Sequence, residues 1–166
     1  MRSVKVCLLG DFAVGKTSLA RRFVDESFSD RYLTTVGVKI DTKIVETPTH
    51  GPVKLVVWDI AGADNLDALS TSYVRGMAGY LLVADRSRAS TLTSANKIQA
   101  SVAANSPSVP FCFLVNKNDL HDQLEITDDA LAEIQNRGWE TLLTSAKTGD
   151  NVERAFQQLA ERILSE

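Results

Sequence analysis

A layered α/β fold, with a mostly parallel sheet held between helices, is what this chain predicts, and three observations carry the prediction. Short apolar runs recur along the sequence, segments of helical period separate them, and a length of 166 residues suits one domain with one substantial core. Residues 1–166 are therefore read as a single unit. Hydrophobic residues at 44%, charged residues at 23%, and 9 Gly with 4 Pro scattered through the chain exclude disorder and collagen-like structure. The 18 Lys and Arg face 21 Asp and Glu, a net charge of -3, which leaves no electrostatic case for nucleic acid or an anionic membrane surface.

In chain order, residues 4–9, 79–84 and 110–115 are continuous apolar runs, as expected of central strands covered on both faces. Residues 36–46 and 53–60 flank the turn-rich stretch Thr47-Pro48-Thr49-His50-Gly51-Pro52, which predicts an antiparallel hairpin at one edge of the sheet. Helices are predicted over about 15–24, 91–104 and 127–136, and a further one around 65–75. The last helix is read from Val152, Ala155, Phe156, Leu159, Ala160 and Ile163 on one face, with Asp150 and Glu153 expected as its N-terminal capping pair.

Cys7 and Cys112 lie inside apolar runs and read as buried, reduced thiols. His50 and His121 fall in predicted loops without the spacing of a metal cage and read as surface residues. Arg21, Arg22, Arg86 and Arg88 form no long run, and Arg21 with Arg22 is expected to border the solvated face of the first helix. No apolar stretch reaches the length of a membrane span, and no signal peptide, myristoylation glycine or prenylation cysteine is visible. The expectation is a cytoplasmic monomer without a membrane anchor of its own.

The chemistry begins where the first apolar strand runs into Gly10-Asp11-Phe12-Ala13-Val14-Gly15-Lys16-Thr17, which fits G-x-x-x-x-G-K-[ST]. A loop that ends in a helix N-terminus aims successive backbone N–H groups at an oligophosphate, and the helix dipole favours the anion. The expected contacts are Ala13, Val14, Gly15, Lys16, Thr17 and Ser18, with Lys16 as a point charge at the β- and γ-phosphates and Thr17 as an oxygen ligand of Mg²⁺. Trp58-Asp59-Ile60-Ala61-Gly62 closes a strand with a carboxylate suited to Mg²⁺ and a Gly62 N–H suited to the γ-phosphate, although a strand-terminal Asp also serves as a plain turn former.

Asn116-Lys117-Asn118-Asp119 follows the third apolar strand, and Thr144-Ser145-Ala146-Lys147 follows another strand candidate. In an open α/β sheet ligands bind outside the C-terminal strand ends, so these segments can converge on one nucleotide. A carboxylate at Asp119 accepts from both N1–H and the 2-amino group of guanine, whereas adenine lacks the N1 donor. The base expected is guanine, which sets aside the metabolic nucleotide kinases that share the phosphate loop.

Over its whole length the chain resembles the small GTPases of the Ras superfamily, most of all their Rab-like branch. The resemblance rests on residues 10–17, YLTTVG at 32–37, WDIAG at 58–62, and the segments at 116–119 and 144–147. It implies the three-layer α/β/α fold of the P-loop NTPases, with a six-stranded, mostly parallel sheet carrying one antiparallel edge strand, and five helices. It also implies a molecular switch that binds GTP and GDP with Mg²⁺, hydrolyses GTP slowly, and presents effectors with two segments, about 28–40 and 59–75, that answer to the γ-phosphate. Exchange and GTPase-activating proteins are the further partners implied.

Carried over by position, Thr35 resembles the residue that ligates Mg²⁺ and senses the γ-phosphate, and Phe28 the aromatic beside the base. Lys117 is placed along the guanine face, the Ala146 N–H at the guanine carbonyl, and Ser145 and Lys147 beside it. Lys16, Thr35 and Gly62 are the residues expected to bear on hydrolysis. Ile40, Trp58 and Tyr73 match an aromatic-rich trio that meets effectors, although Trp58 and Tyr73 equally suit packing against the hairpin.

Two positions depart from the family pattern. Most relatives carry a glutamine that orients the attacking water where this chain has Ala63, followed by Asp64. Three outcomes follow: a slow GTPase helped by a partner, a module that stays GTP-bound and works as a scaffold, or catalysis in cis through Asp64. Phe12 stands where relatives keep a small residue, in the path of an activating protein's arginine, and either obstructs that arginine or folds over the nucleotide or the second switch.

Overall fold

The computed structural model describes residues 1–24, 32–33, 38–60 and 73–166. Strands β1 (Ser3–Gly10), β2 (Tyr32–Leu33), β3 (Val38–Thr47), β4 (Gly51–Ile60), β5 (Gly79–Asp85), β6 (Phe111–Asn116) and β7 (Thr141–Leu143) form one sheet in the order β2-β3-β4-β1-β5-β6-β7. From β4 to β7 every neighbouring pair is parallel, and β3 runs antiparallel to β4. Six strands match the expectation. The two-residue β2 adds a seventh at the edge, pairing antiparallel with Lys39 and Ile40 of β3, too short to leave a pattern in the sequence.

The parallel strands read as continuous apolar runs because helices cover both faces. On one face α1 (Lys16–Val24) and the C-terminal helix (Val152–Leu164) pack over Val6, Leu8, Val57, Leu81 and Leu114. On the other, α2 (Ser90–Asn105) and α3 (Asp128–Asn136) pack over Cys7, Leu9, Leu82, Phe113 and Val115. The C-terminal helix is α4, the fourth among the described residues; the helix expected around 65–75 lies mostly outside them. The stacked rings of Phe23 and Phe156, 3.7 Å between centroids, join α1 to α4.

Thr127 caps α3 by accepting from the Ala130 N–H at 3.1 Å, and Asp128 and Asp129 lie in its dipole-favoured first turn. The cap expected for α4 is different. Asn151, not Asp150, occupies the N-cap position with a left-handed φ of 58°, and it makes no side-chain cap bond. Its amide turns back to the Leu143 carbonyl at 2.8 Å, while Glu153 pairs with Lys43 at 3.0 Å, so the Asp150–Glu153 capping pair does not form. The local spacing suited a capping box, but the N-cap falls one residue later and Lys43 holds Glu153.

β5 passes directly beneath α4. A Cβ on Gly79 would stand 2.8 Å from Ile163 Cδ1 and 3.1 Å from Leu159 Cδ1, closer than packed carbons tolerate. Gly79→Ala is expected to lower unfolding stability by about 1 kcal/mol, because the Ile163 side chain can yield only partly. A urea unfolding midpoint unchanged from the parent would contradict this packing.

Cys7 and Cys112 are buried and unpaired, and burial pushes their thiols up, to about 12 and about 11. Neutral thiols of this kind behave as small apolar side chains, as expected. His50 and His121 are exposed, and among the described residues no group of His, Cys, Asp and Glu could cage a metal. His50 and Thr49 at the hairpin tip meet Glu161 of α4, and the Thr49 hydroxyl holds that carboxyl below the usual range. No described helix is long and apolar enough to cross a membrane.

Candidate nucleotide site

The loop between β1 and α1 is built from the inside. Val14 is fully buried, and its carbonyl accepts from Asn116 Nδ2 at 3.0 Å. Gly15 has φ +102°, and a Cβ there would lie 2.2 Å from that same Asn116 nitrogen, so only glycine lets the loop close on the base segment. Ala13 adopts φ 59°, a left-handed turn that helps aim successive N–H groups inward.

Lys16 lies across the loop and donates to the carbonyls of Gly10 at 2.8 Å and Asp11 at 3.0 Å. Burial lowers its pKa to about 8, against the opposing pull of Asp59 and Asp11. Among the described residues this cation forms no ion pair and rests on two carbonyls, an electrostatic setting that suits an incoming phosphate.

Thr17 and Asp59 meet at the mouth of the loop. The Thr17 hydroxyl donates to Asp59 Oδ2 at 2.6 Å, and Asp59 Oδ1 is buried with no hydrogen-bond partner among the described residues. A buried carboxylate oxygen without a donor costs energy unless something fills the place. A hydroxyl and a carboxylate presenting hard oxygens side by side fit Mg²⁺.

At the next strand ends, Asn116 is the joint of the site. Its Nδ2 reaches Val14, and its Oδ1 accepts from Thr144 Oγ1 at 3.1 Å and from the Ala146 N–H at 3.3 Å. One 1% exposed amide thus binds the phosphate loop, its own segment and residues 144–147 together. Lys117, with φ 62°, donates to the Ala13 carbonyl at 3.0 Å, and Ser145 Oγ donates to Asp119 Oδ1 at 2.7 Å. The two groups face one space.

That space is a pair of joined clefts. One, of about 440 Å³, is lined by Asn116, Lys117, Asp119, Ala146 and Lys147 with Gly15, Ser18, Arg21 and Arg22 from the α1 side. The other, of about 410 Å³, is lined by Phe12, Ala13, Lys16, Thr17 and Asp59 and shares Gly15, Ser18 and Lys117 with the first. A flat base in the first and a phosphate chain in the second would span a bound nucleotide. Arg21 and Arg22 are exposed as expected, but both also line the first cleft, and Arg22 donates to the Thr148 carbonyl at 3.1 Å.

Ile40 and Trp58 are directly opposed on β3 and β4, and Cys7 pairs with Trp58 on the other side while its thiol donates to the Tyr73 carbonyl at 3.6 Å. All three are half-buried and pack against the same core cluster, with the Lys5 ammonium 3.7 Å from the Trp58 ring centroid. Phe28, Thr35, Gly62, Ala63 and Asp64 lie outside the described residues, as do most of the two segments expected to switch.

Sequence reasoning placed Thr144 in the segment 144–147 without foreseeing its bond to Asn116, and it missed the segment after β5. Asp85 ends a central parallel strand just as Asn116 does, and the strand-end rule that found the base segment applied to it equally.

Phosphate loop, strand-end carboxylate and base cleft on this sheet define a nucleotide-binding protein of the P-loop α/β class. The chain belongs to the Ras family, whose family model matches residues 5–165, and within the Ras superfamily of small GTPases it is Rab-like. It is 36% identical over 163 residues to Ras-related protein Rab-13 of Canis lupus familiaris, covering 96% of this chain and 79% of that protein. It is 34% identical over 175 residues to Ras-related protein Rab-27B of Homo sapiens, covering 97% and 79%. Ras-related protein Rab-10 of Diplobatis ommata is 34% identical over 163 residues, covering 96% and 80%.

Proposed function

We propose that this chain is a guanine-nucleotide switch that exchanges GDP for GTP, hydrolyses GTP slowly by itself, and meets effectors while GTP is bound. The observation that carries the reading is Asn116, whose single amide fixes the phosphate loop against the segment bearing Asp119. Asp119 is oriented by Ser145 and lines the base cleft, where its carboxylate accepts from N1–H and the 2-amino group of guanine. Lys117 lies along the base, and the Ala146 N–H meets its carbonyl. Lys16 and the N–H groups of residues 13–18 take the phosphates, and Phe28 packs beside the base.

Thr17 and Asp59, joined by Thr35, are the residues that would hold Mg²⁺, which when bound neutralises charge on the β- and γ-phosphate oxygens. Thr35 and the Gly62 N–H report the γ-phosphate to the segments 28–40 and 59–75. Loss of that phosphate releases both segments and alters the surface at Ile40, Trp58 and Tyr73, where effectors bind. Exchange and activating proteins set the rates, and residues 1–166 act as one monomeric unit in the cytoplasm.

A second reading is favoured by two particular residues. Ala63 cannot hydrogen-bond water through its side chain, and Phe12 is 70% exposed at the mouth of the phosphate cleft, where an incoming arginine would have to pass. Both point to a module that remains GTP-bound and acts as a scaffold until a partner completes the chemistry.

Competition against a fluorescent GDP analogue tests the base assignment. GDP is expected to displace it at concentrations about 100-fold below those of ADP. Equal displacement by the two would remove guanine from the reading.

A further inference from the structure

The segment Asp85-Arg86-Ser87-Arg88 leaves the C-terminal end of β5, and the strand order places it between the halves of the site. β1, which carries the phosphate loop, lies on one side of β5, and β6, which carries the base segment, lies on the other.

Asp85 is 1% exposed, and both its oxygens are occupied. Oδ1 accepts from the Ser87 N–H at 2.9 Å and Ser87 Oγ at 2.6 Å, while Oδ2 accepts from Arg88 Nε at 3.0 Å and Lys117 Nζ at 2.9 Å. Burial raises the Asp85 pKa, but the donors from Ser87, Lys117 and Arg88 outweigh it and hold the group below its ordinary value. The two cations then reach successive carbonyls of the phosphate loop: Arg88 Nη2 donates to Phe12 at 2.8 Å, and Lys117 Nζ to Ala13 at 3.0 Å. A loop that turns its N–H groups toward phosphate must turn carbonyls away, and those carbonyls need donors of their own.

Arg86 faces the opposite side. It is buried, with Nε on the Ile126 carbonyl at 3.2 Å, Nη1 on Asn118 Oδ1 at 2.5 Å and Nη2 on Asp128 Oδ1 at 2.7 Å. Its backbone N–H also donates to the Asn116 carbonyl at 2.9 Å. Asn118 stands between Lys117 and Asp119, so this guanidinium grips the base segment in its middle. Only a planar fork of several donors can hold three acceptors at fixed angles, and a lysine ammonium cannot replace it.

We propose that Arg86 and Arg88 are positioning residues that lock the two halves of the nucleotide cleft to each other, Arg88 acting on the phosphate loop and Arg86 on the base segment. The inference rests on the guanine-nucleotide reading given above. It assigns separate signatures to the two arginines, which general loss of stability does not.

Affinities of GDP, GMP and inosine diphosphate, measured by competition on the full chain, test it. GMP lacks the β-phosphate, and inosine diphosphate lacks the 2-amino group. Arg88→Ala is expected to reduce the preference for GDP over GMP by about 5- to 10-fold and to leave the preference over inosine diphosphate within about twofold of the parent. Arg86→Ala is expected to do the reverse. Asn118→Ala removes the same contact from the accessible side, and it is expected to repeat the Arg86→Ala result if that variant folds poorly. Both ratios remaining at parent values in Arg88→Ala and in Asn118→Ala would overturn the proposal, whatever the melting temperatures do. A parent that takes no guanine nucleotide would instead overturn the site reading and this inference together.

Discussion

Asp119→Asn is expected to weaken GDP binding by about 10² to 10³, the largest single loss at the base cleft. In the proposed reading the carboxylate presents two acceptors to two guanine donors, and the Ser145 hydroxyl at 2.7 Å fixes its angle. An amide keeps the shape but replaces one acceptor with an N–H pair that faces guanine's own donors. Two buried donors then lack partners, and that penalty exceeds the value of the bonds lost. Xanthosine diphosphate, which carries a carbonyl where guanine has its 2-amino group, should gain from the same change because the new amide can donate to it. Competition titration reads both effects. A GDP affinity within about threefold of the parent would place the base somewhere other than against Asp119.

Ala63→Gln is expected to raise single-turnover GTP hydrolysis on the order of 10- to 100-fold, with GDP affinity unchanged. The family places glutamine at this position to orient the attacking water, and an alanine side chain offers that water neither donor nor acceptor. A rate gain confined to the chemical step is the mark of a restored orienting group. An unchanged rate would mean that the missing glutamine does not limit the parent, and Asp64→Ala lowering the parent rate would then identify catalysis in cis. Phe12→Gly separates the second obstacle. It is expected to restore response to an arginine-donating activating protein without altering intrinsic turnover.

Most of the fold was legible because burial on both faces writes parallel strands as continuous apolar runs, which is how β1, β5 and β6 are found. The hairpin was legible through its turn residues, and α4 through the spacing of Val152, Phe156, Leu159 and Ile163. The α4 cap was not, because a left-handed Asn151 held by the Leu143 carbonyl depends on tertiary contact rather than local spacing. The three-residue β7 was legible only as a candidate beside the Thr144 segment, since nothing in its length distinguishes it from a loop.

At the site, the phosphate loop, Asp59 and the base segment were readable because backbone geometry and nucleotide chemistry demand those residue types at those spacings. Asp85 fell under the same strand-end rule, but its network with Arg86 and Arg88 was not readable. Arg88 meets Phe12 across 76 positions, and Arg86 meets Asn118 across 32. Neither arginine belongs to a charge run or a motif, and only the strand order brings them to the cleft.

The most direct test is to load the purified protein with an equal mixture of GTP and ATP in Mg²⁺, remove free nucleotide, and follow what stays bound by chromatography over hours. The expected result is retained GTP with little ATP, converting to GDP only slowly and faster in Ala63→Gln. Retention of ATP as readily as GTP, or of neither, would contradict the guanine-nucleotide switch.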